Sequence, residues 1–163
     1  MKHHLDEVDW KILGQLQENG RITNVELANR VGISAPPCLR RVRALEKAGI
    51  IEGYFAQLNE KAIGFGLMAF AMVSLNVQSE ADLVAFEKQC EEWELVRSCY
   101  MLSGEVDFIL QCVATDLSAF QDFIIKELTA APNVAGVKTS LVIRRSKALS
   151  GCPLDLVADE VQD

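Results

Sequence analysis

Histidine is almost missing from this 163-residue chain; His3 and His4 are the only two, side by side at the start. No grouping of nucleophile, base and orienting acid can be assembled around them, and the pair reads as a solvated start. P-loop and GxGxxG patterns are also lacking, so no catalytic residue and no cofactor is expected. The five cysteines, Cys38, Cys90, Cys99, Cys112 and Cys152, are odd in number, widely spaced and free of CxxC or Cys/His clusters. That argues against a disulfide framework or a zinc site, and reduced thiols in a cytoplasmic compartment fit better. Cys99 and Cys112 could meet across a strand pair, but a buried free cysteine behaves by default as a small hydrophobe. Met1-Lys2-His3-His4-Leu5 has no apolar run of a signal peptide. The apolar stretch Ile63 to Val77, interrupted by Gly64, Gly66, Ser74 and Asn76, is shorter than the roughly 20 residues of a membrane span. No membrane association is expected.

Net positive charge is lacking too: the chain carries −7. The deficit is uneven. Residues 1–50 hold eight Lys/Arg against six Asp/Glu, and residues 51–163 eight against seventeen. From Arg21 to Lys47 the count is six against two. The acidity of the second part argues for solubility and leaves room for a basic face in the first. Half of all residues are apolar and 24% are charged, so packed domains are expected.

The basic region has helical periodicity. A first helix is predicted from Glu7 to Asn19, with Asp6 as cap, Val8, Ile12, Leu13 and Leu16 inward, and Asn19-Gly20 as stop. Thr23-Asn24-Val25-Glu26 reads as a capping box opening a second helix, with Leu27, Ala28 and Val31 inward. After the turn Gly32-Ile33-Ser34, a third helix starts near Pro36-Pro37, where proline is tolerated, and ends at Gly49. Cys38, Leu39, Val42 and Leu45 are its inward set. Two short helices joined by a Gly-containing turn, the second cationic, form a helix-turn-helix. A charge run is often only a solvated face, but the preceding helix, turn and cap favour contact with double-stranded DNA. Arg40 and Arg43 are the choices for the groove, since a guanidinium can fork onto guanine O6/N7 or a phosphate. Arg41 lies between the inward and outward sets. Arg21, Asn24, Ser34 and Lys47 are assigned to the phosphate backbone. As a cap, Ser34 would accept from the second or third helical amide, but Pro36 and Pro37 have none. Its hydroxyl is left for a phosphate or for solvent.

Beyond residue 50 the period changes. Ile51 to Asn59 is predicted as a strand, Glu60 to Gly66 as a connector, and Leu67 to Val77 as a covered strand. A helix Ala81 to Trp93, strands Leu95 to Leu102 and Val106 to Ala114, a helix Leu117 to Ala131 and a strand Gly136 to Ile143 follow. The order βαββαβ is ferredoxin-like, with both helices on one face of an antiparallel sheet. The fold class is therefore α+β: a winged-type helix-turn-helix domain, residues 1–50, a linker strand and connector, 51–66, a ferredoxin-like domain, 67–147, and an acidic tail, 148–163. The tail has little periodicity and reads as loose or as lying on a partner. The open sheet face calls for a partner, and a second copy of the chain is the simplest.

Leu5-Asp6-Glu7-Val8-Asp9-Trp10-Lys11-Ile12-Leu13 resembles the LDxxDxxIL opening of the Lrp/AsnC family of bacterial transcription regulators. Asn19-Gly20-Arg21-Ile22-Thr23-Asn24-Val25-Glu26-Leu27-Ala28 is similar to its (D/N)GRxsxxELA segment. Arg30 to Ser34 and Cys38 to Ile51 resemble its recognition-helix signature. Ser103-Gly104-Glu105-Val106-Asp107-Phe108 resembles its (S/T)GxxD(Y/F) turn. The resemblance runs from Leu5 to about Lys147. It implies a dimer or octamer, an N-terminal DNA-binding domain, and a C-terminal domain sensing a small molecule, usually an amino acid, at subunit contacts. The turn then gains a role beyond a tight hairpin. Ser103 and Gly104 offer amides suited to a carboxylate, and Asp107 could hold an ammonium group. Tyr100, Met101, Leu102 and Thr139 are effector-pocket candidates by neighbourhood, favouring an apolar amino acid such as leucine or methionine. The expected function is an effector-responsive, sequence-specific transcription regulator. The alternatives are an architectural protein that bends or bridges DNA without small-molecule input, and, more remotely, an enzyme carrying a regulatory helical domain.

Overall fold

The structure is a computed structural model that describes residues 4–147 and 151–158. His3 and residues 148–150 and 159–163 of the acidic tail lie outside the described residues. The chain forms two compact units, one from the segment up to Gln57 with the segment from Lys147, the other from Leu58 to Ser146.

The first unit is helical: α1 (Glu7–Glu18), α2 (Asn24–Val31) and α3 (Ala35–Lys47). Asp6 caps α1 by accepting from the Asp9 amide at 2.9 Å, while the Asp9 carboxylate accepts from the Asp6 amide at 3.2 Å. Two otherwise orphaned amides are thereby satisfied. The cap of α2 is only half of the expected box. Thr23 Oγ1 accepts from the Glu26 amide at 3.2 Å, but the Glu26 carboxylate turns to Arg30 one turn on, at 2.6 Å. The i,i+4 ion pair takes the acid away from the cap. Gly32 ends α2 at φ 78°, in the left-handed region where a Cβ is penalised. Ile12, Leu13, Leu27, Ala28, Val31, Cys38 and Leu45 form the buried core, with Val8, Leu16 and Val42 packed against it. Leu39 is a correction: it is 38% exposed. At 100° per residue it lies across the helix from Leu45, not beside it.

Ile51 to Asn59 forms no strand among the described residues. A strand is defined by its neighbour, and none pairs with this segment, although Tyr54, Phe55 and Leu58 are exposed. The tail departs from its loose reading in the same physical sense, because it finds a partner. Gln17 Nε2 donates to the Cys152 carbonyl at 3.1 Å, and the Cys152 amide donates to Gln17 Oε1 at 2.6 Å. Leu154 packs against the helical core beside Gly14, and a short α6 (Asp155–Ala158) follows.

The second unit is a four-stranded antiparallel sheet of order β2-β3-β1-β4, from β1 (Leu67–Leu75), β2 (Val96–Met101), β3 (Phe108–Ala114) and β4 (Val134–Leu141). The helix α4 (Glu80–Glu92) and the helix α5 (Leu117–Phe123) complete the βαββαβ order. Alternation along β1 buries Ala69, Ala71, Val73 and Leu75 in one core with Phe86, Trp93, Phe108, Leu110, Phe120, Phe123 and Leu128. Phe86 and Trp93 meet edge-on at 5.9 Å, and Trp93 and Phe123 at 5.5 Å. Such pairs add about 0.5–1.5 kcal/mol beyond area burial. Met68, Phe70 and Met72, on the opposite face, are only half-buried. The predicted second helix is α only to Phe123; Ile124–Leu128 is a π turn, closed by the Thr129 amide donating to the Ile124 carbonyl.

Candidate DNA interface and effector loop

The helical unit presents α3 with two unlike faces. Cys38 and Leu45 point into the core. On the other side, Pro36, Leu39, Arg40, Arg43 and Lys47 are exposed and, at helical spacing, share one stripe. Arg40, Arg43 and Lys47 make no ion pair among the described residues. Glu46, the nearest acid in sequence, instead accepts from the Tyr54 hydroxyl at 3.1 Å. Burial and Glu46 together push the Tyr54 phenol up.

Arg41 does something different. Its guanidinium reaches across to α1, with Nη1 2.7 Å from Asp6 Oδ2 and 2.8 Å from Asp9 Oδ1. The Asp9 amide, with Arg41, holds the Asp6 carboxyl below its ordinary range, and hydrogen bonds to Asp9 and Asp6 raise Arg41 further. Asp9 was not among the sequence candidates, although a D-x-x-D pair at a helix start is the signal that could have found it. Asn24 is also turned inward: Nδ2 donates to the Ala35 carbonyl at 2.8 Å, and Oδ1 is buried without a partner. It ties the start of α2 to the start of α3. Ser34 makes no capping hydrogen bond, as the two prolines require. Arg21 is exposed, with its own amide on Asn19 Oδ1 at 3.0 Å.

In the sheet unit the turn after β2 is closed by the Leu102 amide donating to the Asp107 carbonyl at 2.8 Å. Asp107 anchors it to β1: its amide donates to the Val73 carbonyl at 2.9 Å, and its Oδ2 accepts from the Leu75 amide at 2.7 Å. The second carboxylate oxygen has no hydrogen bond among the described residues. Ser103 and Gly104 are exposed at the tip, beside exposed Tyr100, Met101 and Leu102. Thr139 stands apart from them within one chain. It lies on β4, the sheet edge opposite β2, level with Ala71, whereas Tyr100 pairs with Ile109 on the other face.

Comparison with known families matches residues 5–52 to "Winged helix-turn-helix DNA-binding" and residues 68–151 to "Lrp/AsnC ligand binding domain". The chain belongs to the Lrp/AsnC family. Among its relatives, a leucine-responsive regulatory protein of Rhizobium meliloti is 62% identical over 88% of this chain and 92% of its own length. A Bkd operon transcriptional regulator of Pseudomonas aeruginosa is 39% identical over 92% of this chain and 98% of its own length. The crystal structure of a Neisseria meningitidis transcriptional regulator in complex with L-methionine superposes with a TM-score of 0.88 at 40% identity, covering 94% of this chain and 99% of that one. Membership makes the chain a DNA-binding transcription regulator with a ligand-binding C-terminal domain, not an enzyme. Among the described residues, no helix is long and apolar enough to cross a membrane.

Proposed function

We propose that this Lrp/AsnC regulator works in the cytoplasm as a homodimer that reads paired DNA half-sites and is modulated by an amino acid. The observation that carries the DNA half is the cationic stripe of α3, which faces away from the core without ion-pair partners among the described residues. Arg40 and Arg43 enter the major groove and meet base edges; Lys47, Arg21 and the unused Ser34 hydroxyl meet phosphates. Arg41 and Asn24 hold α3 against α1 and α2, so that the stripe is presented rigidly. Half-sites one helical turn apart follow from a two-fold dimer.

The effector half rests on the turn after β2. Its exposed backbone at Ser103 and Gly104 suits a carboxylate, the spare oxygen of Asp107 suits an ammonium, and Tyr100, Met101 and Leu102 offer an apolar side. The related Neisseria structure holds L-methionine, which supports an apolar amino acid. Thr139 can contribute only from another copy, because its own strand lies at the far edge. The half-buried row Met68, Phe70, Met72 and Ile109 supplies the apolar surface for that copy, and dimers could gather further into an octamer. Calorimetry with each amino acid, alongside mobility shifts on the gene's own upstream region, tests the reading. Heat from one apolar amino acid that also alters the shift supports it. No heat from any would leave an architectural DNA-bending protein.

A further inference from the structure

The DNA stripe and the effector turn leave one pair of reactive side chains without a role. Cys90 lies on α4 and Cys99 on β2, and both pack in the same apolar cluster between helix and sheet. Both also line an open cavity of about 400 Å³, with Glu87, Glu91, Val96, Arg97 and Ser98. Cys99 stands opposite buried Leu110, in the register set by the turn pair Met101–Phe108, and it shares this cavity's wall with Cys90 and not with Cys112. Cys90 is 5% exposed and Cys99 is half-buried, so one sulfur is reachable and the other waits behind it. Cys38 and Cys112 are fully buried, and small-hydrophobe packing accounts for them.

We propose that Cys90 and Cys99 form a modification site, a dithiol that a peroxide entering this cavity converts to an intramolecular disulfide joining α4 to the edge strand β2. Cys99 Sγ attacks one peroxide oxygen; an S–O bond forms, the O–O bond breaks, and the leaving oxygen takes the thiol proton. Cys99 becomes a sulfenic acid by keeping one peroxide oxygen, and the other leaves as water from hydrogen peroxide or as an alcohol from an alkyl peroxide, a two-electron reduction. Cys90 Sγ then attacks Cys99 Sγ; the S–S bond forms, the S–O bond breaks, and hydroxide leaves with the Cys90 proton as water. A reducing dithiol reverses the change. The hydrogen bond from Cys90 holds the Cys99 thiol below its ordinary range, against burial and Glu87, and pushes Cys90 up. Glu91 and Arg97 also line the cavity, and Cys99, the more exposed of the two cysteines, is the attacking thiol and Cys90 the resolving one.

The test uses the full chain carrying Cys152→Ser, which removes the exposed thiol, leaving Cys38, Cys90, Cys99 and Cys112. Hydrogen peroxide is added, the protein is denatured and alkylated, and intact mass and tryptic peptides are read. A loss of two hydrogens, two remaining alkylatable thiols, and a link between the peptides Gln89–Arg97 and Ser98–Lys126, all reversed by dithiothreitol, is the expected result. Cys112→Ala should keep the link, and Cys99→Ala should abolish it. Four alkylatable thiols after peroxide, oxygen addition without a link, or a link that survives Cys99→Ala would overturn the proposal. None of these readouts depends on which effector the chain binds.

Discussion

Lys47→Gln and Arg41→Gln remove one positive charge each from the same helix, yet they should act on different quantities. Lys47 is exposed on the unpaired stripe. Arg41 is 32% exposed and bound to Asp6 and to Asp9, which is itself only 14% exposed. Each neutralised phosphate contributes about −0.9 to the slope of log affinity against log salt. Three cations per protomer, six in a dimer, give a slope of about −5.4, so affinity should drop about 2000-fold between roughly 50 and 200 mM salt. Lys47→Gln on both protomers brings the slope to about −3.6 and the drop to about 150-fold. Arg41→Gln should leave the slope unchanged. It strands the half-buried Asp9 carboxylate, at a cost of about 1 kcal/mol after solvent screening. For a unit of this size that corresponds to a melting point lower by about 4–8 °C. Fluorescence anisotropy on a duplex from the upstream region, titrated at five salt concentrations, measures the first effect; calorimetric melting measures the second. If Arg41→Gln flattened the slope as much as Lys47→Gln in folded protein, the division of the two residues would be refuted.

Asp6→Ala removes the cap of α1 and one partner of Arg41, lowering stability by about 1 kcal/mol near neutral pH. The folded Asp6 carboxyl titrates below its unfolded value, so this contribution is full above about pH 4 and fades as pH falls through the folded value. The melting-point gap between parent and variant should therefore close in acid; a gap that widens there would contradict the assignment. Ending the chain at Lys147 removes the half-buried Leu154 and the two Gln17 bonds, and should cost the helical unit about 1–3 kcal/mol. Circular dichroism melting would show no change if the tail were a bystander. Asp107→Asn keeps an oxygen for the Leu75 amide but loses the charge facing the proposed ammonium. Effector affinity in calorimetry should fall about 10- to 150-fold with little change in melting, and unaltered affinity would remove Asp107 from the site.

The elements that were legible in the sequence are those whose signals are local. α1, α2 and α3 carry stops and a 3.6-residue apolar period, with side-chain caps on α1 and α2 and prolines opening α3, and the βαββαβ order follows from the change of period after residue 66. What was not legible depends on distant partners. Gln17 meets Cys152, and a lone Leu154 among acids gives no period to read. That Cys99 and Cys112 could meet across a strand pair is open in the sequence, and only the register of the β2–β3 ladder, which sets Cys99 against Leu110, decides it. Thr139, inside the predicted last strand, is grouped with the turn by neighbourhood alone; only the sheet order shows β2 and β4 to be opposite edges. Ile51 to Asn59 has strand-like residues, but a strand needs a second strand beside it.

Three arginines within four positions end in different roles because a helix turns 100° at each step. Arg41 faces the flank and closes the Asp6–Asp9 box, while Arg40 and Arg43 stand on the outer arc with Lys47. At its start α3 is tied by Asn24 to Ala35, and one turn later by Arg41 to α1, so neither fixing contact uses the outward stripe. Stability and DNA affinity are thus assigned to separate side chains of one helix. Arg40→Ala and Arg43→Ala remove exposed groups that have no ion pair among the described residues, and such substitutions stay within about 0.5 kcal/mol of the parent stability. A loss of DNA binding in either variant can therefore be read as a lost contact and not as a lost fold.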